Sequence, residues 1–229
     1  MLFSTFNTRP LALNNYSETN LVYRSDKLDK ISDIDIATLL NKKVTDIIDL
    51  RRYKSERKLV LLDDSRFLYH FVPLEITSWE AVSPNDVMKI YDNLPTEYMD
   101  YVAQYEKIYQ ILSIILCARG KTIIMCSQGK DRTGVIIAII LLLLNVENKV
   151  IIEDYIYSTE SFKLHNKECF LEAKAEIMQS FLDEFMEKYH SILIYLRIIG
   201  FEETEIKCLK DKLLHISEWK ESERFEGVR

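Results

Sequence analysis

The sequence predicts an α/β fold: a central, mostly parallel sheet flanked by helices, with helical additions towards the C-terminus. Three observations carry that expectation. Short apolar runs of strand length alternate with helix-period segments as far as Asn145. One of these runs, Thr122–Met125, passes through a glycine-containing loop straight into the longer apolar run Val135–Leu144, as a buried strand followed by a buried helix would. Beyond Val150 only helical spacing recurs.

Residues 1–20, rich in Asn, Ser and Thr and holding Pro10, read as an irregular entry segment. Leu21–Tyr23 forms a short strand leading to Arg24 and Ser25. Ser32 caps a helix running to Leu40, because its hydroxyl suits the first amides and the early aspartates suit the positive end of the dipole. Val44–Leu50 is a strand that ends in the charged run Arg51, Arg52, Lys54, Glu56, Arg57 and Lys58. Ligands gather at the carboxyl ends of strands in open α/β sheets, which makes Asp49 and Arg51 candidate substrate-binding residues. The same stretch also reads as a solvated loop with an Asp49–Arg51 or Glu56–Arg57 ion pair.

Arg66–Val72 is a further strand, closed by Pro73. From Leu74 to Pro95 no period holds, and so long a loop is more often functional than a plain connector. Tyr98, Tyr101, Tyr105, Ile108, Leu112 and Ile115 then follow three-four spacing, which predicts one long amphipathic helix over 97–117 with its tyrosines in the core or at its rim. Gly120 ends it. After a polar turn at 145–149, helical segments follow from Val150, through Phe170, Ala173, Ile177, Phe181 and Phe185, to a last helix over about 203–216. The chain reads as one domain, 1–229, whose helical part 160–216 either covers the site as a lid or makes a dimer contact.

A net charge of −6 and a pI near 5.4 argue against a general nucleic-acid or membrane-surface binder. The four cysteines form no C-x2-C pair and the four histidines no H-x3-H, so neither a metal site, a cofactor nor a disulfide framework is expected. The run Val135–Leu144 falls far short of the roughly 20 residues that span a bilayer. With no signal-peptide pattern at Met1–Asn15, a cytoplasmic location is expected, compatible with non-classical delivery to a host.

The chemistry concentrates in Met125–Gly134. Backbone amides of a strand-to-helix loop can curl round a phosphate while the positive end of the helix points at the same spot. Into that cradle the sequence puts Cys126 and, after five intervening residues, Arg132. A free thiol with a pKa of about 8.5 is only slightly ionised at neutral pH, and amides, dipole and guanidinium all favour the thiolate. Gly129, Lys130, Asp131, Thr133 and Gly134 add specificity to the C-x5-R pattern. A sulfurtransferase loop would share the cysteine and the cradle and leave Asp131–Gly134 unexplained.

These residues resemble a known family. Cys126–Gly134 is similar to the C-x2-GKDRTG signature of the bacterial-type tyrosine phosphatase family 3, within the cysteine-dependent protein tyrosine/dual-specificity phosphatase superfamily. Tyr23–Leu28 resembles its YRS-x-x-L segment, Asp49–Arg51 with Glu56–Arg57 its DLR…ER segment, and Asp154-Tyr155 with Ser158 its DYxxS segment; Asn7–Arg9 echoes an N-terminal NFR stretch. The resemblance implies a phosphotyrosine-phosphatase-like fold and a metal-independent phosphatase acting on phosphorylated proteins, of tyrosine or dual specificity, or on phosphoinositides. It implies Cys126 as the nucleophile that forms a phosphocysteine. Arg132 grips two phosphate oxygens, and the amides of Ser127, Gln128, Gly129, Lys130, Asp131 and Arg132 hold the phosphate. Thr133 donates to the sulfur. Asp131 is the expected general acid, ahead of Asp49 and then Asp86, Asp92 or Asp100. Lys130 and the charged run from Arg51 to Lys58 would suit acidic headgroups. One departure stands out: Met125 occupies the place of the family's usual His, which leaves open a phosphate-binding module without turnover.

Overall fold

In the computed structural model, which describes residues 2, 4–13, 18–52, 65–75, 87–169 and 171–214, five strands form one mixed sheet flanked by eight helices. The strands are β1 (Arg9–Ala12), β2 (Glu18–Ser25), β3 (Val44–Asp49), β4 (Leu68–Phe71) and β5 (Lys121–Met125). Their order across the sheet is β1-β2-β5-β3-β4. All neighbours are parallel except β1, which runs antiparallel to β2. β5 therefore lies in the middle, and its carboxyl end is flanked by those of β2 and β3.

Alternation along the central strands sorts two cores. Val22, Ile48, Ile124 and Cys126 face the larger cluster, whereas Tyr23, Ile47, Ile123 and Met125 face a smaller one with Leu28, Leu39 and Phe67. The smaller cluster is covered by α1 (Asp33–Asn41), which starts at the expected Ser32 cap with Asp35 completing a reciprocal capping box. The larger cluster is built on α4 (Asp131–Leu143), buried on every side from Thr133 to Leu141. A helix that is apolar all round has to be surrounded. Around it stand α2 (Val87–Val102), α5 (Asn148–Leu164) and α7 (Ile192–Ile198), backed by α3 (Tyr105–Cys117), α6 (Ala175–Tyr189) and α8 (Glu203–Leu213).

Three expectations change. The segment 1–20 is not irregular throughout, since Arg9–Ala12 pairs with β2 across a register shift between Pro10 and Leu11. The single helix over 97–117 is two: Gln104 leaves helical geometry at ψ 63°, and its side chain donates to the carbonyls of Glu75 (3.1 Å) and Asp100 (3.3 Å). The three-four period ran through the break because both helices present their tyrosines to one core. The stretch read as loop to Pro95 gives way at Val87 to α2, which carries Pro95 inside it.

Much of the apolar surface of 160–200 packs inward, while Leu164, Leu193, Ile194 and Ile198 stay exposed. Ile177, Met178, Phe181, Leu182 and Phe185 of α6 join the main core, and Phe185, Tyr189 and Tyr195 pack tilted or edge-on with ring centroids 4.8–5.0 Å apart. Phe181→Ala is accordingly expected to cost about 3–5 kcal/mol, the range for deleting a buried aromatic ring. Urea unfolding checks this, and a loss below about 1 kcal/mol would be that of a surface side chain.

Candidate active site

Met125 ends β5 and Asp131 begins α4, so Cys126–Lys130 is the whole turn between them. Cys126 is 3% exposed and faces the α4 side of the sheet. Met125 points to the other face, into the α1 cluster, where an apolar thioether packs and an imidazole would need a polar partner.

The carbonyl oxygens of this turn are held from outside, one after another. Met125 O accepts from Leu50 N (2.9 Å) and Ser127 O from Lys27 N (3.4 Å). The Asn7 side-chain amide donates to Gln128 O (2.8 Å) and Gly129 O (3.0 Å). Arg24 Nη2 donates to Gly129 O (2.6 Å) and Lys130 O (3.4 Å), and Lys130 O also receives Gly134 N (2.7 Å). In a planar trans peptide the N–H points away from its carbonyl. Carbonyls fixed outward therefore turn the amides of Gln128, Gly129, Lys130 and Asp131 inward. Gly129 is required for this curl: its φ is 62°, and a Cβ there would lie 2.3 Å from Ser25 O.

Behind the turn, Arg24 is fully buried and bonds to the Asp154 carboxylate and to Ser158 Oγ (3.0 Å). Asp154 shares its carboxylate with Arg9 (Nε to Oδ1, 3.2 Å). Burial, then the nearby Arg24 charge, lowers the Arg9 pKa to about 10. Asn7 is held in turn through its backbone N–H, which donates to Asp26 Oδ1 (2.9 Å) beside Phe6 N (3.1 Å). Burial pushes Asp26 up to about 6, against the pull of those two N–H donors.

At the head of α4, Arg132 is half-buried and Nη1 donates to Leu50 O (3.3 Å). Thr133 Oγ1 is buried with no hydrogen-bond partner among the described residues. Asp131 keeps 29% of its side chain exposed; Oδ1 accepts from Tyr98 OH (2.6 Å) and Oδ2 lies 3.7 Å from Lys130 Nζ. The Lys130 side chain is itself buried, with Nζ donating to Leu171 O (2.5 Å). Tyr101, beside Tyr98 on α2, has its phenol in electrostatic reach of Arg132, Asp131 and Cys126, with burial the main cause raising its pKa.

Asp49 and Arg51 come together, as the ion-pair reading of that stretch had them. The Asp49 carboxylate takes Arg51 Nε (3.0 Å), Nη2 (2.9 Å) and backbone N (3.0 Å) as well as Tyr69 OH, while Arg51 Nη1 reaches Asp29 (2.7 Å). Asp92 and Asp100 are exposed on α2. Asp86, Lys54, Glu56, Arg57 and Lys58 lie outside the described residues. Among the described residues no group of three or more His, Cys, Asp or Glu side chains is placed to hold a metal ion, and no helix is long and apolar enough to cross a membrane.

Sequence reasoning passed over Tyr98 as a core or rim tyrosine, and it had Asn7, Arg24, Asp154 and Tyr155 only through resemblance. The three-four stripe did mark Tyr98 as inward-facing. No local pattern could show what its hydroxyl meets.

The sequence model of the family described as "Tyrosine phosphatase family" matches residues 4–215. Among solved structures, the crystal structure of P. aeruginosa TpbA is similar at 13% identity, with a TM-score of 0.42 over 92% of this chain and 98% of that one. No curated protein matches.

Asp26 gives the site a pH signature. It releases its proton near 3.8 when unfolded and near 6 when folded. Its contribution to stability is therefore full below the lower value and lost as pH rises through the higher one, a change of about 3 kcal/mol. Asp26→Asn removes that titration, so wild type is expected to lose more stability than the variant between pH 4 and pH 7. Urea unfolding at the two pH values reads the difference, and parallel losses would mean that Asp26 titrates as an ordinary carboxylate.

Proposed function

The chain belongs to the tyrosine phosphatase family, and on that premise we propose that this phosphatase hydrolyses phosphate monoesters in two steps through a phosphocysteine on Cys126, without a metal. The observation that carries the reading is the run of outward-held carbonyls from Ser127 to Lys130, which leaves a ring of amides facing inward beside the thiol. Preorganised donors of this kind act on the charge that develops at the phosphoryl oxygens.

In the first step the Cys126 sulfur attacks phosphorus as the bond to the leaving oxygen breaks, and Asp131 supplies the proton that oxygen takes up. Arg132, with its fork steadied by Leu50 O, binds two phosphoryl oxygens. In the second step a water oxygen bonds to phosphorus, its proton returns to Asp131, and the electron pair of the P–S bond goes back to sulfur. The unpartnered hydroxyl of Thr133 is the group that hydrogen-bonds that sulfur. Partial exposure of Asp131 favours it over Asp49, whose carboxylate is filled by Arg51 and Tyr69.

Phosphotyrosine in proteins is the proposed substrate class, since the chain belongs to the tyrosine phosphatase family and two of the cations expected to suit a headgroup are engaged: Lys130 with Leu171 O, Arg51 with Asp49 and Asp29. Turnover of p-nitrophenyl phosphate is expected to resist EDTA, to be blocked by vanadate and to vanish in Cys126→Ser. Acid quench should trap a phosphoryl group on the Cys126 peptide. Phosphate binding without any turnover in the wild type would make the chain a binding module instead. Arg51→Ala should lower the rates on p-nitrophenyl phosphate and on a phosphoinositide by the same factor, because Arg51 acts through the end of β3; a loss confined to the phosphoinositide would move the reading to lipid headgroups.

A further inference from the structure

We propose that Tyr98 is the positioning residue for Asp131, fixing which carboxyl oxygen carries the proton to the leaving group; this rests on Asp131 being the general acid. Tyr98 is fully buried on α2, and its hydroxyl has two neighbours: Asp131 Oδ1 at 2.6 Å and Tyr155 OH at 2.9 Å. A phenol has one proton to give. Oδ1 is an acceptor only, so that proton goes to Asp131 when the acid is ionised and stays on Oδ1's side when the other oxygen is protonated. Tyr155 donates to Tyr98 from behind, which completes a one-way chain from α5 through α2 to the loop.

Three further observations make Tyr98 a fixed donor. Its ring is held edge-on by Tyr155 and Phe181, with centroids 6.3 and 5.9 Å away, so the hydroxyl cannot swing. Burial, reinforced by the Asp131 charge, drives its acidity far out of the working range, so it stays a neutral donor. Asp131 itself is the exposed member of the pair. With Oδ1 occupied, Oδ2 is the oxygen that bears the transferable proton, and the Lys130 ammonium 3.7 Å away steadies the carboxylate left after the proton departs. Without Tyr98 the carboxyl group could turn about its last bond and present either oxygen. A general acid that spends time misaligned slows the step that needs it and leaves phosphate binding untouched.

The test compares esters that need an acid with one that does not. Tyr98→Phe keeps the ring and removes only the hydroxyl. It is expected to lower kcat/KM, which reports the phosphoryl-transfer step alone, roughly tenfold on phenyl phosphate, the equivalent of one charge-assisted hydrogen bond, while kcat/KM on p-nitrophenyl phosphate, whose leaving group departs without help, changes less than about twofold. Vanadate affinity should stay at the wild-type value, because the amide cradle is unchanged. In an Asp131→Asn background, adding Tyr98→Phe should bring no further loss on either ester. Equal losses on both esters, a parallel loss of vanadate affinity, or additivity with Asp131→Asn would each overturn the inference and leave Asp131 as the acid. If Asp131→Asn alone lowers kcat/KM equally on both esters, the acid assignment falls, and the role of Tyr98 falls with it.

Discussion

Four consecutive carbonyl oxygens, from Ser127 to Lys130, find their donors outside the loop, and the geometry of the site follows from that constraint. A tight strand-to-helix turn left to itself would satisfy its carbonyls with water and let its peptide planes rotate. Here Asn7 and Arg24 each span two successive carbonyls, so the planes are set as a group. The hydrogen bonds from Arg24 come from a charged donor and are worth about 1.5–3 kcal/mol each, against about 1 for a neutral one. Two guanidinium groups, Arg9 and Arg24, share the single Asp154 carboxylate. That leaves a buried excess of positive charge directly behind the loop, where a bound anion would relieve it.

Burial of α4 supplies the second half of the arrangement. Its N-terminus brings the positive end of the dipole to the same point at which the inward amides converge, and a helix enclosed by α2, α5 and α7 cannot tilt without opening the core. Gly134 lets this enclosure come close, for a Cβ there would sit 3.2 Å from the Tyr155 ring. The helical C-terminal part thus acts on the loop through packing, and α5 carries Asp154, Tyr155 and Ser158 into its support.

The parts of this picture that were legible in the sequence are those whose signal is local. β5, the turn and α4 are contiguous, and their apolar runs, glycine and C-x5-R spacing are read in one window. The partners of the turn are not local. Asn7 meets Gln128 across 121 positions and Arg24 meets Asp154 across 130, so no period or composition could announce either contact. β1 was missed for a related reason: it is four residues long, its pairing with β2 shifts register at Pro10, and it carries no alternation of its own. The break at Gln104 escaped because periodicity reports which face is buried, not whether one helix or two present it.

Burial also separates Asp131 and Asp49, the two aspartates that the resemblance ranks first and second as the general acid. Asp49 and Asp131 both stand at element ends beside the loop, and both belong to charged runs. Asp49 has its oxygens filled by Arg51 and Tyr69, and the backbone it stabilises carries Leu50, whose N–H holds Met125 O and whose carbonyl receives Arg132. A carboxylate so enclosed serves geometry: it fixes the strand end from which the proposed phosphate-binding arginine is aimed. Asp131 accepts a hydrogen bond at Oδ1, while Oδ2 has only the Lys130 ammonium 3.7 Å away and the side chain keeps 29% of its surface exposed, which suits a group that must exchange a proton with a substrate and then with water. The difference lies in the donors each carboxylate meets: neighbouring Arg51 and Tyr69, 20 positions on, close Asp49, whereas Tyr98, 33 positions back, holds one oxygen of Asp131, and the two tyrosine contacts are visible only once the chain is folded.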